Sequence, residues 1–180
     1  MIEGSWRRRL VDHYPDIFVR TDHGEASVHG YPFVGEGWSD IVEVLIERIA
    51  ARAPRGSHRI DLIGEKHGWL VLGVQRVQAG LDSDILAAVD EAVALAEARS
   101  ACTCQICGES GVMRDDHGWL ATLCDGHARG EPVPVRRGWE NIELVIAMTG
   151  GHPRASRARR YDRRSDSFVE VDPSTLETEE

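Results

Sequence analysis

The sequence predicts an α+β fold: a small antiparallel sheet or hairpin packed by helices, a treble-clef or ribbon-like metal module, and a flexible C-terminal tail. Three observations predict it. Two stretches, one after Ser39 and one after Asp82, carry apolar residues at helical spacing. Two others, 59–74 and 111–123, alternate around short glycine-containing turns, as hairpins do. The third is Cys104-x2-Cys107 followed, sixteen residues on, by Cys124-x2-His127, a spacing typical of zinc sites. Residues 1–100 read as the α+β domain, 101–135 as the metal module packed on it, and 136–180 as a C-terminal extension.

The first element is a helix capped by Ser5 and stopped at Pro15. Trp6, Leu10 and Tyr14 share one face, and Arg7, Arg8 and Arg9 read as its solvated side. Residues 16–38 are irregular and rich in glycine, histidine and aromatics, with Ala26–Val28 and Pro32–Val34 as short strand candidates. Histidines 13, 23 and 29 with Asp12, Asp16 or Asp22 offer a second metal site, but scattered loop histidines are usually plain polar surface.

Ser39 caps the next helix, whose stripe is Ile41, Leu45 and Ile49 and which ends by Pro54. In the hairpin that follows, Ile60, Leu62, Leu70, Leu72 and Val74 alternate around a Glu65-Lys66-His67-Gly68 turn. Asp82 or Ser83 starts a helix with Ile85, Val89, Ala92 and Ala96 on one face, running to about Ser100 and leading directly into the cysteines. Inside the module, strands at 111–114 and 119–123 flank an Asp116-His117-Gly118 turn. His-Gly-Trp-Leu stands at both 67–70 and 117–120, where glycine turns the chain and tryptophan is expected to anchor the next strand in the core. The β-branched content of 140–149 favours strand over helix. Arg154, Arg157, Arg159, Arg160, Arg163 and Arg164 then form a basic run. Residues 165–180 hold six acidic residues and no basic one, a block expected to be disordered, to dock on a partner or to fold back on the arginines.

Three thiolates and one imidazole, from Cys104, Cys107, Cys124 and His127, fill a tetrahedron and leave no place for water or substrate. The expected ion is therefore structural Zn2+. Cys102 is the thiol left over and reads as a buried spare. All four cysteines fall within 23 residues, and three are in zinc register, which fits a reducing cytoplasm better than a disulfide framework. No apolar run reaches membrane-span length, and the first residues carry arginines with no apolar stretch after them, so neither membrane insertion nor a secretory leader is expected. A net charge of −9 argues against a surface that binds nucleic acid throughout. Asp116-His117 between the ligand pairs suggests an HNH-type nuclease. However, Cys124 follows only seven residues after His117, which leaves no room for the rest of such a site.

One family resemblance follows from these residues. The order is Gly37-Trp38-Ser39-Asp40-Ile41, the hairpin Ile63-Gly64-Glu65-Lys66-His67-Gly68-Trp69-Leu70, then Cys104-x2-Cys107-Gly108, Gly118-Trp119, Leu123-Cys124 and His127-Ala128. Over roughly residues 36–129 it resembles an uncharacterised group of bacterial and phage zinc-binding proteins, in which an EKFG-type hairpin precedes a C-x2-C-G…GW…LC-x2-H module. His67 and Trp69 depart from that hairpin pattern. The resemblance implies no established activity, and phage and mobile contexts imply accessory, defence or immunity roles. The expected function is non-enzymatic: a zinc-stabilised protein that binds or inhibits another protein, such as an acidic immunity protein against a basic toxin. The alternative is a nucleic-acid-binding regulator that uses Arg154 to Arg164.

Overall fold

Helix α1 (Trp6–His13) buries Trp6, Leu10 and Val11, and Pro15 ends it. The same proline opens α2 (Pro15–Phe18), where a missing N–H costs nothing. A computed structural model describes residues 5–149 and 151–176 of the chain. Strands β1 (Val19–Asp22) and β2 (Glu25–Val28) form a hairpin inside the stretch that reads as irregular. A single 3-10 turn at Glu36–Trp38 then leads into α3 (Ser39–Arg52). Ser39 is already helical, so Trp38, not Ser39, takes the N-cap position.

Strands β3 (His58–Lys66) and β4 (Trp69–Arg76) pair antiparallel. A bulge between Ile60 and Leu62 shifts the alternation by one residue. Ile63 therefore turns into the core and Leu62, expected inside, faces out. Helix α4 (Ser83–Ser100) is capped by Asp82, whose carboxylate accepts from the Asp84 N–H at 2.8 Å. The main core lies among these helices and the inner face of the β3–β4 hairpin. Trp38, Phe18, Val42, Ile46 and Ile63 are its most enclosed members.

Past α4 the chain forms β5 (Val112–Asp116), β6 (Trp119–Leu123) and a two-residue strand β7 (Glu131–Pro132), in the order β6-β5-β7. Strands β8 (Ile142–Thr149), β9 (His152–Asp162) and β10 (Ser167–Val171) form a second meander, in the order β10-β9-β8. The arginine run, expected in a flexible tail, falls on this meander: Arg154, Arg157, Arg159 and Arg160 stand on its central strand β9, and Arg163 and Arg164 on the turn that follows. Tyr161 and Phe168 on that sheet pack with Leu95 of α4 and with Cys102. Residues 177–180 lie outside the described residues.

Three hairpins turn on the same dipeptide. His23-Gly24, His67-Gly68 and His117-Gly118 have φ of +52/+86, +55/+80 and +55/+89. Two successive positive φ values make a type I′ turn, whose twist matches the flanking strands. Glycine adopts it freely, while histidine is among the few side chains that tolerate the first position. The tryptophans that follow two of these turns are not core anchors. Trp69 is 53% exposed and Trp119 71% exposed, whereas Trp38 is fully buried.

Candidate metal centre

Cys104 and Cys107 lie on a tight loop that leaves the end of α4. The Gly108 N–H donates to Cys104 O at 2.9 Å and the Cys104 N–H to Glu109 O at 2.8 Å. Gly108 sits at φ +81, which explains a glycine directly after the second cysteine. The other pair comes from the end of β6: Cys124 precedes a single 3-10 turn, Asp125–His127, that carries His127. No α-helix follows that turn; the chain runs instead into β7, so the second pair sits on a turn, as in a ribbon. Arg114 on β5 donates to Asp125 at 2.7 Å and ties the turn to the hairpin.

The four donor atoms lie within 4.8 Å of one another. Cys107 Sγ is 3.6 Å from Cys124 Sγ, and His127 Nδ1 is 3.7 Å from Cys104 Sγ and 3.3 Å from Cys124 Sγ. A tetrahedron built on metal–sulfur bonds of about 2.3 Å and metal–nitrogen bonds of about 2.0 Å has edges of about 3.8 Å (S to S) and about 3.5 Å (S to N). These three separations lie close to those edges, within a cluster that spreads to 4.8 Å, and no pair of cysteines is joined in a disulfide. Cys104, Cys107, Cys124 and His127 can therefore hold a metal ion through three sulfurs and Nδ1.

The local electrostatics favour the ligating form of Cys104. Burial pushes its thiol up, but the N–H groups of Cys124, Cys107 and Ile106 together bring it down to about 6. At Cys107 the Glu109 N–H pulls downward; burial and the sulfurs of Cys124 and Cys104 outweigh it, so the thiol is raised. Two neighbouring thiolates repel until a cation neutralises them. Cys102 is outside the cluster. It is buried, burial pushes its thiol up, and its Sγ lies 3.4 Å from Arg99 O.

The N-terminal part of the fold closes over this loop. The Gly37 N–H donates to Gln105 O at 3.0 Å, and the indole N–H of Trp38 to Thr103 O at 2.8 Å. A Cβ on Gly37 would lie 2.2 Å from Cys104 O and 2.4 Å from Gly108 N, so only glycine fits. Arg7 reaches the same strap. It is not a solvated side chain but donates to Pro32 O and Val34 O and pairs with Glu36. Opposite, Thr122 Oγ1 donates to Gly68 O at 2.8 Å and Arg163 to Gly108 O at 2.8 Å. Gly37, Trp38, Thr122 and Arg163 thus frame the centre; the sequence signalled Gly37-Trp38 through the resemblance and Arg163 only as part of the basic run, and gave no sign of Thr122.

Other site residues expected from the sequence are arranged differently. Among the described residues, the cysteine–histidine cluster is the one group of donors close enough to share a metal ion, so His13, His23 and His29 form no second site with Asp12 or Asp16; the side chain of Asp22 lies outside the described residues. His117 is 99% exposed at a turn tip, 3.9 Å from Asp116 Oδ1. Arg157 pairs with Glu170, while Arg159 pairs with Glu143 and Glu91 and stacks on the Phe168 ring at 3.8 Å. Arg160 donates to Gly138 O at 2.7 Å. Arg163 bonds the metal loop and Arg164 is exposed. The side chain of Arg154 lies outside the described residues. Among the described residues, no helix is long and apolar enough to cross a membrane. No family model, curated protein or solved structure matches this chain.

Proposed function

We propose that the chain is a non-enzymatic, zinc-stabilised protein of the cytoplasm that binds another protein, in the manner of an immunity or phage-defence accessory factor. Zinc is the ion favoured by three thiolates and an imidazole at tetrahedral spacing. With four protein ligands, the ion has no coordination position left for a reactant.

The observation that carries the binding role is a set of aromatic side chains left in water. Phe33 is 78% exposed, and Trp69 and Trp119 are also mostly exposed. Each stands on a segment tied to the metal module: the strap that ends at Gly37, the turn held by Thr122, and β6 itself. Large rigid aromatics of this kind supply most of the energy at protein interfaces. A nucleic-acid regulator that uses the arginine run has less support, because Arg157 and Arg159 already face carboxylates within the fold.

The test is affinity capture from the native host with the zinc-loaded chain and with a Trp69→Ser/Trp119→Ser variant. The captured protein is then purified and the complex remade by titration calorimetry. A partner that binds the parent at least tenfold more tightly than the variant supports the reading. Equal binding to both overturns it. Tight DNA binding that weakens steeply with salt would favour the regulator instead.

A further inference from the structure

A cavity of about 330 Å³ lies on the far side of the main core, between α1–α2, the end of α3 and the 54–58 loop. Its walls are apolar, with Ile17, Ile49, Ala53 and Pro54. His58 lines it and is 5% exposed. Its Nδ1 lies 2.9 Å from Ser57 Oγ, and Ser57 is fully buried with no other partner for its hydroxyl. The hydroxyl must therefore donate to Nδ1, which places the imidazole proton on Nε2. Among the described residues that N–H has no protein acceptor, it is not sealed from solvent, and the ring that carries it lines the cavity.

At the mouth, Arg55 donates through Nε to Asp16 at 2.5 Å. Among the described residues its two Nη groups have no protein partner. The Tyr14 hydroxyl is a third donor among the lining groups, and burial raises its pKa, followed by the Glu47 charge. The only carboxylate in the lining, Asp16, is already held by Arg55. The polar lining is thus rich in unspent donors over an apolar floor. A ligand that fits must bring acceptors at one end and hydrocarbon at the other. One free guanidinium fork matches a monoanion with two oxygens.

We propose that this cavity binds a small carboxylate with an aliphatic or aromatic body. Its oxygens would sit between the His58 Nε2–H and the Arg55 guanidinium, with the body against Ile49 and Pro54. The site is remote from the metal module and does not depend on the reading given under Proposed function.

The test is an NMR titration of the zinc-loaded full chain, following the His58 ring nitrogens. The probes are phenylacetate, benzyl alcohol and inorganic phosphate, each to about 20 mM, well above the affinity of about 1 mM expected for a ligand of this size. Phenylacetate should shift His58 Nε2 saturably, with benzyl alcohol and phosphate each at least tenfold weaker. Arg55 is 85% exposed, so Arg55→Gln leaves the fold intact and should weaken phenylacetate about tenfold. No saturable shift at His58, or unchanged affinity in Arg55→Gln, would overturn the proposal, as would phosphate or benzyl alcohol binding as well as phenylacetate.

Discussion

Replacing Gly37 with alanine tests whether the metal module and the N-terminal half of the chain form one cooperative unit. The new methyl carbon would stand 2.2 Å from Cys104 O, 2.4 Å from Gly108 N and 2.7 Å from Cys107 N. All three are main-chain atoms of a loop closed on itself by hydrogen bonds, so none can swing aside. Relief requires the strap to lift off the loop. That breaks the bond from Gly37 N–H to Gln105 O and displaces Trp38, whose indole N–H holds Thr103 O. Overpacking against rigid neighbours costs about 3 kcal/mol, and alanine's lower unfolded-state entropy returns less than about 1 kcal/mol. For a chain of this size, a net loss of about 2 to 3 kcal/mol lowers Tm by roughly 4 to 12 °C. Because the strap grips the loop that carries two ligands, part of the loss should appear as zinc affinity about tenfold weaker in chelator competition. Gly126→Ala is the control: its Cβ would meet nothing closer than Cys124 Sγ at 3.9 Å, so a change within about 0.5 kcal/mol is expected. A Gly37→Ala protein with parental Tm and parental zinc affinity would refute the reasoning, as would a control that is equally damaged.

Cys104→Ser or His127→Ala should abolish stoichiometric metal by elemental analysis and give aggregated protein, since a structural site of this class contributes on the order of 10 kcal/mol. A soluble, folded variant without metal would argue that the site is not structural. Thr122→Val leaves Gly68 O without its donor in a buried setting and should cost about 1 to 2 kcal/mol by denaturant titration. His58 is held below the ordinary imidazole value by burial and then by Arg76, with Asp90 acting the other way. The folded state therefore keeps it neutral, and the stability it confers is full above about pH 6.5 and is lost as pH falls through the folded value. His58→Gln should show a flatter fall in Tm between about pH 7 and pH 5.5 than the parent; parallel curves would count against this assignment. Tyr161→Phe removes a 2.7 Å bond to Asp166, a carboxylate that Arg48 also holds, and should cost about 1 kcal/mol in thermal melts.

Much of the fold was legible because it rests on local chemistry. Helical spacing placed α3 and α4, with Asp82 as a cap that the geometry bears out. Glycine-containing turns placed two hairpins, and ligand spacing picked out the four residues that converge. The failures have physical causes. Pairing register is not a local property, so the bulge that exchanged Leu62 for Ile63 left no mark in the alternation. The arginine run looked like a tail because the carboxylates that compensate it, Glu91, Glu143 and Glu170, stand on three other elements, α4, β8 and β10. Tryptophan after a His-Gly turn looked like core, but the side chain at that place in a hairpin can face either way, and here Trp69 and Trp119 face water.

The sequence alone determined which atoms can grip an ion, because that information lies in donor type and in spacing along a tight turn. Only the tertiary structure decided that Gly37 and Trp38 close over the metal loop, that Arg163, in the turn after β9, bonds it, and that a buried histidine lines a cavity. Those relations join residues 55 to 68 positions apart or set one side chain among several elements, and they are fixed by packing rather than by any local preference.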